Sequence, residues 1–428
     1  MGNPVNHRVP RRLIISLPAA AALLSACSGG GSSTTSSKPG TFVVFSGDAA
    51  NMAAQQEMLQ ADFGTPNNVT VQVIAYPATE FLAQFQNAVR SSSQIDGLIV
   101  NGQHVGFLQS KGLLSPVDDI VDTASLQPSA LDPFKIGDKL YAAGVGTLNT
   151  SMMAYNPDIM EKYDLVVPKI FEDIKANVAK LDGTGVSLIG FGGATVFQWP
   201  MWYMQMLQQT SADEPTDLTK ATLAGKAPDF TGQPYVEAMR LLQQLGASGA
   251  FAPGMIGTAN TAAQADFLAG KSAMYWYGSW VISSFIQQAK FEVQITPFPS
   301  FVSGVTPRPV GGVTGATALY NKVSSDNAEL AKKFVQFLTS PEGDEKMMKV
   351  APQGFQLPAN KNVQMPSQTP VEKRVTTEFI PKTFGFLDWL WPAAVTTAFQ
   401  QNIQAVVGQQ KSPEDAMRDI QAAYQAGG

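Results

Sequence analysis

The sequence predicts an α/β fold with a largely parallel sheet. From residue 41 onward, short apolar runs typical of strands alternate with amphipathic helical segments. The chain has 428 residues, of which 44% are hydrophobic, which is enough for two or three compact units with a substantial core. It contains one cysteine, which excludes a disulfide scaffold. Together these observations indicate a globular α/β body.

The first five elements follow from hydrophobic periodicity. Residues 41–45 (TFVVF), 69–74 (VTVQVI) and 95–100 are rich in β-branched and aromatic side chains and read as strands. Residues 52–63 and 81–89 have apolar side chains at helical spacing. Strands and helices in this order predict parallel strands joined by helices.

Polar residues follow the first and third of these strands. In open α/β sheets, ligands bind beyond the carboxyl ends of the strands. Asp48, Asn101 and Gln103 are therefore polar candidates for contacts with a ligand. His104 follows the same strand, where a surface or hydrogen-bonded loop histidine is the alternative to a ligand contact.

Later segments repeat the alternation. Residues 187–191 and 273–277 read as strands, and residues 237–245 and 328–338 as amphipathic helices. Residues 401–426 read as helix broken once at Gly408, with Ser412 capping the second part.

The N-terminal segment predicts export and lipid anchoring. Three arginines precede a run of 12 almost wholly apolar residues, 13–24, whereas a membrane-spanning helix needs about 20. Residues 24–27 (LSAC) resemble a bacterial lipobox, so residues 1–27 are a signal peptide and Cys27 is the site of lipidation. Residues 28–40, rich in Ser, Gly and Thr, read as a flexible tether. The expected location is the outer face of the bacterial cell membrane, and the paired arginines give only a hint of twin-arginine export.

Composition limits the possible chemistry. Removal of the residues before Cys27 leaves 26 basic against 34 acidic residues, a formal charge of −8, which gives no electrostatic footprint for nucleic acid. His104 is then the single remaining histidine, so a Ser-His-Asp or Cys-His mechanism has at most one base. We expect no cofactor and no metal cluster, although an all-oxygen Ca²⁺ site stays open. A carboxylate pair for glycoside cleavage also stays open, because sequence does not give the spacing of two acids in space.

One stretch imitates a phosphate-binding loop. Residues 265–272 (ADFLAGKS) resemble a degenerate A-x-x-x-x-G-K-S motif. A working phosphate loop follows a strand and opens a helix. Here residues 261–269 read as a helix that Gly270 ends, and a strand follows, so nucleotide binding is not expected.

The same region carries a family signature. Residues 267–274 (FLAGKSAM) and 278–280 (GSW) resemble the F-x-x-G-K-A-A-M…G-x-W pattern of extracellular solute-binding proteins of sugar transporters, the maltose-binding-like family 1. The usual P-x-T-W is replaced by residues 168–171 (PKIF), which puts one helix cap in doubt. Further matches follow in family order across residues 41–428: Asp96 with 112–116, Tyr155-Asn156, Gly311-Gly312 with 327–331, 352–358 and 408–416.

This resemblance implies a two-lobe periplasmic-binding-protein fold of type II with three hinge crossings, near residues 149–153, 309–314 and 351–357. It implies one lobe of residues 41–150 and 314–350 and a second of residues 151–313 and 351–428. It also implies an importer's binding lipoprotein, a monomer that captures a mono- or oligosaccharide between the lobes, closes on it and delivers it to permease subunits of an ABC transporter.

Aromatic side chains are the expected sugar contacts, because the C–H faces of sugar rings pack on aromatic planes. Trp280 matches the family's stacking tryptophan, with Tyr277 and Gly278 beside it, although a core position is the alternative for Trp280. Gly312 lies at a crossing, where the absence of a side chain could admit a ligand. For some of the remaining candidates, packing in the core is the competing interpretation: these are Trp199, Trp202, Tyr203 and Trp276. The last two candidates, Trp389 and Trp391, lie in a loop before the last helices.

Two other functions remain open from the residues. A related binding protein could take a glycerophosphodiester or a polyol, and a buried phosphate would then call for clustered arginines or a helix N-terminus. A secreted glycosidase would call for two carboxylates about 5–10 Å apart in the cleft.

Overall fold

The computed structural model describes residues 40–350, 357–365 and 367–427. Its strands are β1 (Gly40–Ser46), β2 (Val69–Ala75), β3 (Gly97–Asn101), β4 (Leu114–Ser115), β5 (Lys135–Ile136), β6 (Lys139–Leu140), β7 (Ala142–Tyr155), β8 (Ser187–Gly190), β9 (Ser272–Gly278), β10 (Gln294–Thr296), β11 (Val310–Tyr320) and β12 (Phe384–Gly385).

Helices cover most of the connections between these strands. They are α1 (Met52–Leu59), α2 (Ala78–Arg90), α3 (Gly102–Ser110), α4 (Pro157–Lys162), α5 (Phe171–Leu181), α6 (Gln198–Thr210), α7 (Pro215–Leu223), α8 (Gln233–Ala247), α9 (Asn260–Leu268), α10 (Ile282–Gln288), α11 (Ala328–Thr339), α12 (Pro341–Val350), α13 (Pro370–Arg374), α14 (Ala393–Val407) and α15 (Pro413–Gly427).

One large sheet runs through the molecule in the order β2-β1-β3-β11-β7-β9-β8. We call β2, β1 and β3 its first half and β9 and β8 its second half. Within each half these strands are parallel, as predicted. The two middle strands, β11 and β7, are antiparallel to each other and to the neighbouring strand of each half. The sheet is therefore mixed rather than largely parallel, because the chain crosses between the halves on these two strands.

Side chains on both faces of the first half are buried. Val43 and Phe45 of β1 pack with Phe81 and Phe85 of α2. The alternate residues of β1, Phe42 and Val44, pack on the opposite face with Phe63 and Phe334. A strand covered on both faces reads as a continuous apolar run, which is what TFVVF is.

The predicted elements with strong periodicity are confirmed. β1, β2, β3, β8 and β9 and helices α2, α8, α9 and α11 lie where the sequence predicts them, within a few residues at each end. Helix α9 precedes Gly270, whose φ is +76°, and β9 follows, so the phosphate-loop imitation has the order helix, turn, strand. The backbone N–H of Asp415 donates to Ser412 Oγ at 3.1 Å, which confirms the cap of α15.

Two family motifs have local physical roles at helix starts. Asn156 caps α4, accepting from the backbone N–H groups of Asp158 and Ile159 at 3.0 and 3.3 Å. The cap that the sequence put in doubt is at Ile170, which precedes α5 and whose side chain cannot accept a hydrogen bond. Asp173 instead reaches back to the N–H of Ile170 at 3.1 Å.

Candidate functional site

The carboxyl ends of both halves of the sheet converge on the middle of the β7–β11 pair. β3 ends at Asn101, opposite Gly315 of β11, and points toward Gly312. β9 ends at Gly278, opposite Ser151 of β7, and points toward Asn149. Gly312 and Asn149 are themselves paired across the two strands. The register alone therefore puts the ligand-binding edges of both halves around one pair of residues.

Polar side chains surround this pair on the β7 side. Ser279 Oγ accepts from the backbone N–H of Thr150 at 3.1 Å and donates to Asn149 Oδ1 at 3.4 Å. The Thr150 hydroxyl bonds the Thr383 hydroxyl at 2.7 Å. Asn149, which the sequence analysis did not identify as a site residue, is an isolated amide in an otherwise small and apolar stretch, and that was its only signal.

Trp280 lies on one side of the pair. It follows Ser279 in a one-turn 3₁₀ helix, Ser279–Val281, and is partly exposed. Its ring covers Gly278 so closely that a Cβ there would overlap the ring carbons. Tyr277 packs against it edge-on, with ring centroids 4.9 Å apart. The close cover explains why a glycine precedes this tryptophan by two positions.

Tyr277 also belongs to a small polar group of the second half. Tyr277 is itself only 6% exposed, and this burial raises the pKa of its hydroxyl. Tyr275 Oη donates to the side chain of Asn260, the first residue of α9. The backbone N–H of Asn260 donates to Thr195 Oγ1 at 3.2 Å. Asn260 is a second polar candidate that the sequence analysis missed, since it begins a helix without any motif.

Trp389 lies against Gly312 of the pair. It ends a one-turn 3₁₀ helix, Leu387–Trp389, and is partly exposed. A Cβ on Gly102 would overlap its ring, and a Cβ on Gly312 would lie 3.3 Å from it. Phe386 packs beside it at 4.8 Å and also faces Gly312. The lack of a side chain at Gly312 thus admits two rings, one of which, Phe386, was not predicted.

A buried carboxyl sits next to Trp389. Asp388 Oδ1 is buried and has no hydrogen-bond partner among the described residues. This burial raises the pKa of Asp388 to about 7.

The polar candidates of the first half lie at its strand ends. Asp48 Oδ2 accepts from Asn51 Nδ2 at 2.8 Å and from Gln55 Nε2 at 3.2 Å. Asn101 is partly exposed and Gln103 is exposed. His104, expected in a loop, is instead buried in α3 and stacks on Phe81 at 4.7 Å.

Comparison with known proteins decides the family. Residues 59–376 match the family model described as bacterial extracellular solute-binding protein. This chain belongs to that family. A search of the curated proteins finds no match.

Solved solute-binding proteins share its fold. A chitin oligosaccharide binding protein superposes with a TM-score of 0.75 at 16% identity, covering 91% of this chain and 99% of its own. A family 1 extracellular solute-binding protein from Bifidobacterium longum subsp. infantis gives 0.74 at 17% identity, with 91% and 100% covered. The GacH receptor of Streptomyces glaucescens, studied unliganded and with acarbose, gives 0.69 at 20% identity, with 91% and 98% covered. These likenesses confirm the predicted two-lobe, maltose-binding-like fold.

Membership places this solute-binding protein outside the cytoplasm, among proteins that bind substrates. Cys27 and the signal peptide lie outside the described residues. Among residues the structure does describe, no helix has both the length and the apolar character to cross a bilayer. Within those same residues, no group of three or more His, Cys, Asp or Glu side chains could hold a metal ion.

Several predicted aromatic contacts of this solute-binding protein lie in its interior instead. Trp199 and Trp202 are each 1% exposed, and Trp202 packs on Trp276 at 4.5 Å. Trp391 is 6% exposed and stacks on Phe399 at 4.0 Å. All three tryptophans belong to the core, and so do Tyr203 and Trp276. The ligand role predicted for Trp199, Trp202 and Trp391 finds no support in the structure, because they offer a ligand almost no surface.

A separate cavity of about 420 Å³ lies away from the strand ends. Asp118, Lys135 and Lys361 line it together with apolar side chains, and none of the predicted ligand residues does. The convergence of the strand ends, and not this cavity, is the candidate solute-binding site.

Proposed function

We propose that this protein is the substrate-binding lipoprotein of an ABC importer and captures a mono- or oligosaccharide at the Gly312–Asn149 pair. One observation carries the proposal: two partly exposed tryptophans, Trp389 against Gly312 and Trp280 next to Ser279, which bonds Asn149, lie where the strand ends of both halves converge. Aromatic planes beside amide and hydroxyl groups suit the apolar faces and hydroxyls of a sugar. The titles of the structural relatives, which name a chitin oligosaccharide and acarbose, agree with a carbohydrate ligand.

The proposal includes closure of two lobes. Residues 41–150 with 314–350 would form one lobe, and residues 151–313 with 351–428 the other. β11 pairs with β3 of the first half and β7 pairs with β9 of the second, and this pair of crossing strands supports hinge movement about them. The closed form would be the one that the permease subunits bind. Cys27 would hold the protein, as a monomer, at the outer face of the membrane.

A phosphodiester ligand is less well supported. A buried phosphate calls for an arginine fork or a free helix N-terminus. Among the described arginines, Arg240, Arg308, Arg374 and Arg418 pair with carboxylates, and Arg90 bonds the side chain of Asn87.

A thermal-shift screen of the mature chain, residues 28–428, against sugars, polyols and phosphodiesters tests the proposal. A ligand at 100 times its dissociation constant stabilises the fold by about 2.7 kcal/mol, which is readable as a rise in melting temperature. We expect a rise with a sugar that is recovered unhydrolysed. A rise with phosphodiesters alone would contradict the choice of ligand, and hydrolysis of the sugar would show an enzyme.

A further inference from the structure

The strand that joins the two halves of the sheet carries a β-bulge close to the proposed site. On β7, Val145 pairs with Gly315 and Leu148 pairs with Val313, so Gly146 and Thr147 together oppose one residue of β11. Gly146 has φ +79°, the left-handed conformation that a glycine at a bulge adopts. The bulge lies between Val145 and Leu148, immediately before Asn149 in β7.

The backbone groups that the bulge removes from the ladder are bonded by other segments. The N–H of Gly146 donates to Asp344 Oδ1 at 2.6 Å. The C=O of Gly146 accepts from the N–H of Ala359 at 3.0 Å. Because a buried, unpaired backbone group is destabilising, these two bonds stabilise the bulge in the interior.

Asp344 joins three segments at this point. It lies on α12, is 1% exposed, and its other oxygen accepts from the N–H of Asn360 at 2.8 Å. Asn360 Nδ2 in turn donates to the C=O of Thr339 at 2.8 Å. The same segment bonds β7 again, since the N–H of Leu148 donates to the C=O of Leu357 at 2.8 Å. One carboxylate therefore holds the bulge, α12 and residues 357–360 together.

We infer that Asp344 is a positioning residue for ligand capture: it holds the Gly146 bulge of β7 in place and so sets the orientation of the two halves from which they close on a solute. The part of this inference that concerns a solute rests on the proposed function. The part that concerns the orientation of the two halves rests on the bulge alone. In a hinged protein a few residues absorb the change in backbone angles. Loss of the carboxylate lets the bulge adopt other angles, which lowers the fraction of molecules competent to bind and raises the apparent dissociation constant.

Asp344→Asn tests the inference, and Asp96→Asn is its matched control. Asp96 is also 1% exposed and also accepts a backbone N–H, that of Val43 at 2.8 Å, but it lies wholly in the first half. Both variants lose a buried carboxylate acceptor, so both should lose stability. In Asp344→Asn, one of the two backbone N–H groups from which Asp344 accepts, that of Gly146 or that of Asn360, would face an amide nitrogen and lose its acceptor.

The first measurement needs no ligand. The mature chain from residue 28 has no cysteine, so Ala53→Cys and Ala224→Cys, both at exposed positions, accept spin labels, one on each side of β7 and β11. We expect electron–electron double resonance to give the same distance distribution for the parent protein and Asp96→Asn, and a broader or shifted one for Asp344→Asn. An unchanged distribution in Asp344→Asn would overturn the inference.

The second measurement uses chitotriose and acarbose as probes in titration calorimetry. Where the parent binds one of them, we expect Asp344→Asn to weaken binding by about tenfold and Asp96→Asn by about twofold or less. Equal losses of affinity in the two variants would show that Asp344 has a structural role only, which would overturn the inference. Absence of binding by the parent counts against the proposed ligand and leaves the label distances to decide the inference. If Asp344→Asn does not fold, Gly146→Ala replaces it, since a Cβ there meets nothing within 4 Å and strains only the bulge.

Discussion

At the scale of single residues, Trp280 is the sharpest test of the sugar site. We expect Trp280→Ala to weaken sugar binding by about 1–3 kcal/mol, because a ring that faces the ligand is lost. Trp280→Phe should retain most of the affinity. Calorimetry with the sugar found in the thermal-shift screen measures both. An unchanged affinity in Trp280→Ala would assign this tryptophan to the core.

Asp344 gives a prediction about stability and pH. Burial raises the pKa of Asp344 to about 6, although the bonded N–H groups oppose the rise. Between the unfolded pKa and the folded one, the native state binds more protons than the unfolded state, so the contribution of Asp344 to stability falls as pH rises. Asp344→Asn has no such titration. We therefore expect its destabilisation to be about 2 kcal/mol smaller at pH 7.5 than at pH 4.5.

Chemical denaturation of the parent protein and Asp344→Asn at the two pH values measures this difference. An equal destabilisation at both pH values would show an unshifted pKa in the folded protein, and a larger one at pH 7.5 would show a lowered pKa; either result would contradict the prediction.

Single residues also show where sequence reasoning succeeds and fails. Trp280 was predicted as a ligand platform from its motif, and the structure leaves it partly exposed at the strand ends. Trp199 and Trp202 have the same residue type but lie in the core, because all but a few side chains of α6 are buried. Helical spacing could not distinguish these outcomes, since it gives the face of a helix and not what covers it.

At the scale of elements, two glycines leave space for the rings of Trp280 and Trp389. A Cβ at Gly278 would overlap the Trp280 ring, and one at Gly102 would overlap the Trp389 ring. We expect Gly278→Ala and Gly102→Ala each to displace the ring and to lower sugar affinity by about 1–3 kcal/mol, like loss of the ring itself. Calorimetry and the tryptophan emission maximum measure the two effects.

Gly257→Ala is the control for these substitutions. Nothing lies within 4 Å of a Cβ at that position, so affinity and emission should not change. Retention of full affinity in both Gly278→Ala and Gly102→Ala would mean that neither ring contacts the sugar.

The strands differ in how far sequence could predict them. β1, β2 and β9 have aromatic and β-branched residues and were predicted within two residues at each end. β7, the longest strand, was identified only as a crossing near its C-terminal part. Its sequence, AAGVGTLNTSMMAY, is rich in small residues and is buried on both faces, so neither propensity nor alternation marks it. Its register with β11, which defines the site, depends on residues far away in sequence.

At the scale of the whole molecule, anchoring through Cys27 can be tested directly. We expect Cys27→Ala to release the protein from the membrane fraction into the medium, because the lipid anchor cannot form. Ser28→Ala, one residue further on, should leave the protein with the membrane. Fractionation of cells followed by immunoblotting measures the distribution. A Cys27→Ala protein that stays with the membrane would contradict lipidation at this residue.

The pairing of β11 also fixes the order in which this chain can acquire structure during synthesis. β11 completes the ladder of β3, which precedes it by about 200 residues, and at the same time pairs with β7. The first half of the sheet has no inner neighbour until residue 320 has emerged from the ribosome, whereas β9 can pair with β7 as soon as β9 is made. A nascent chain with most of its length already made therefore lacks the strand that joins the two halves of its sheet, and its incomplete first half can still pass through a narrow export channel.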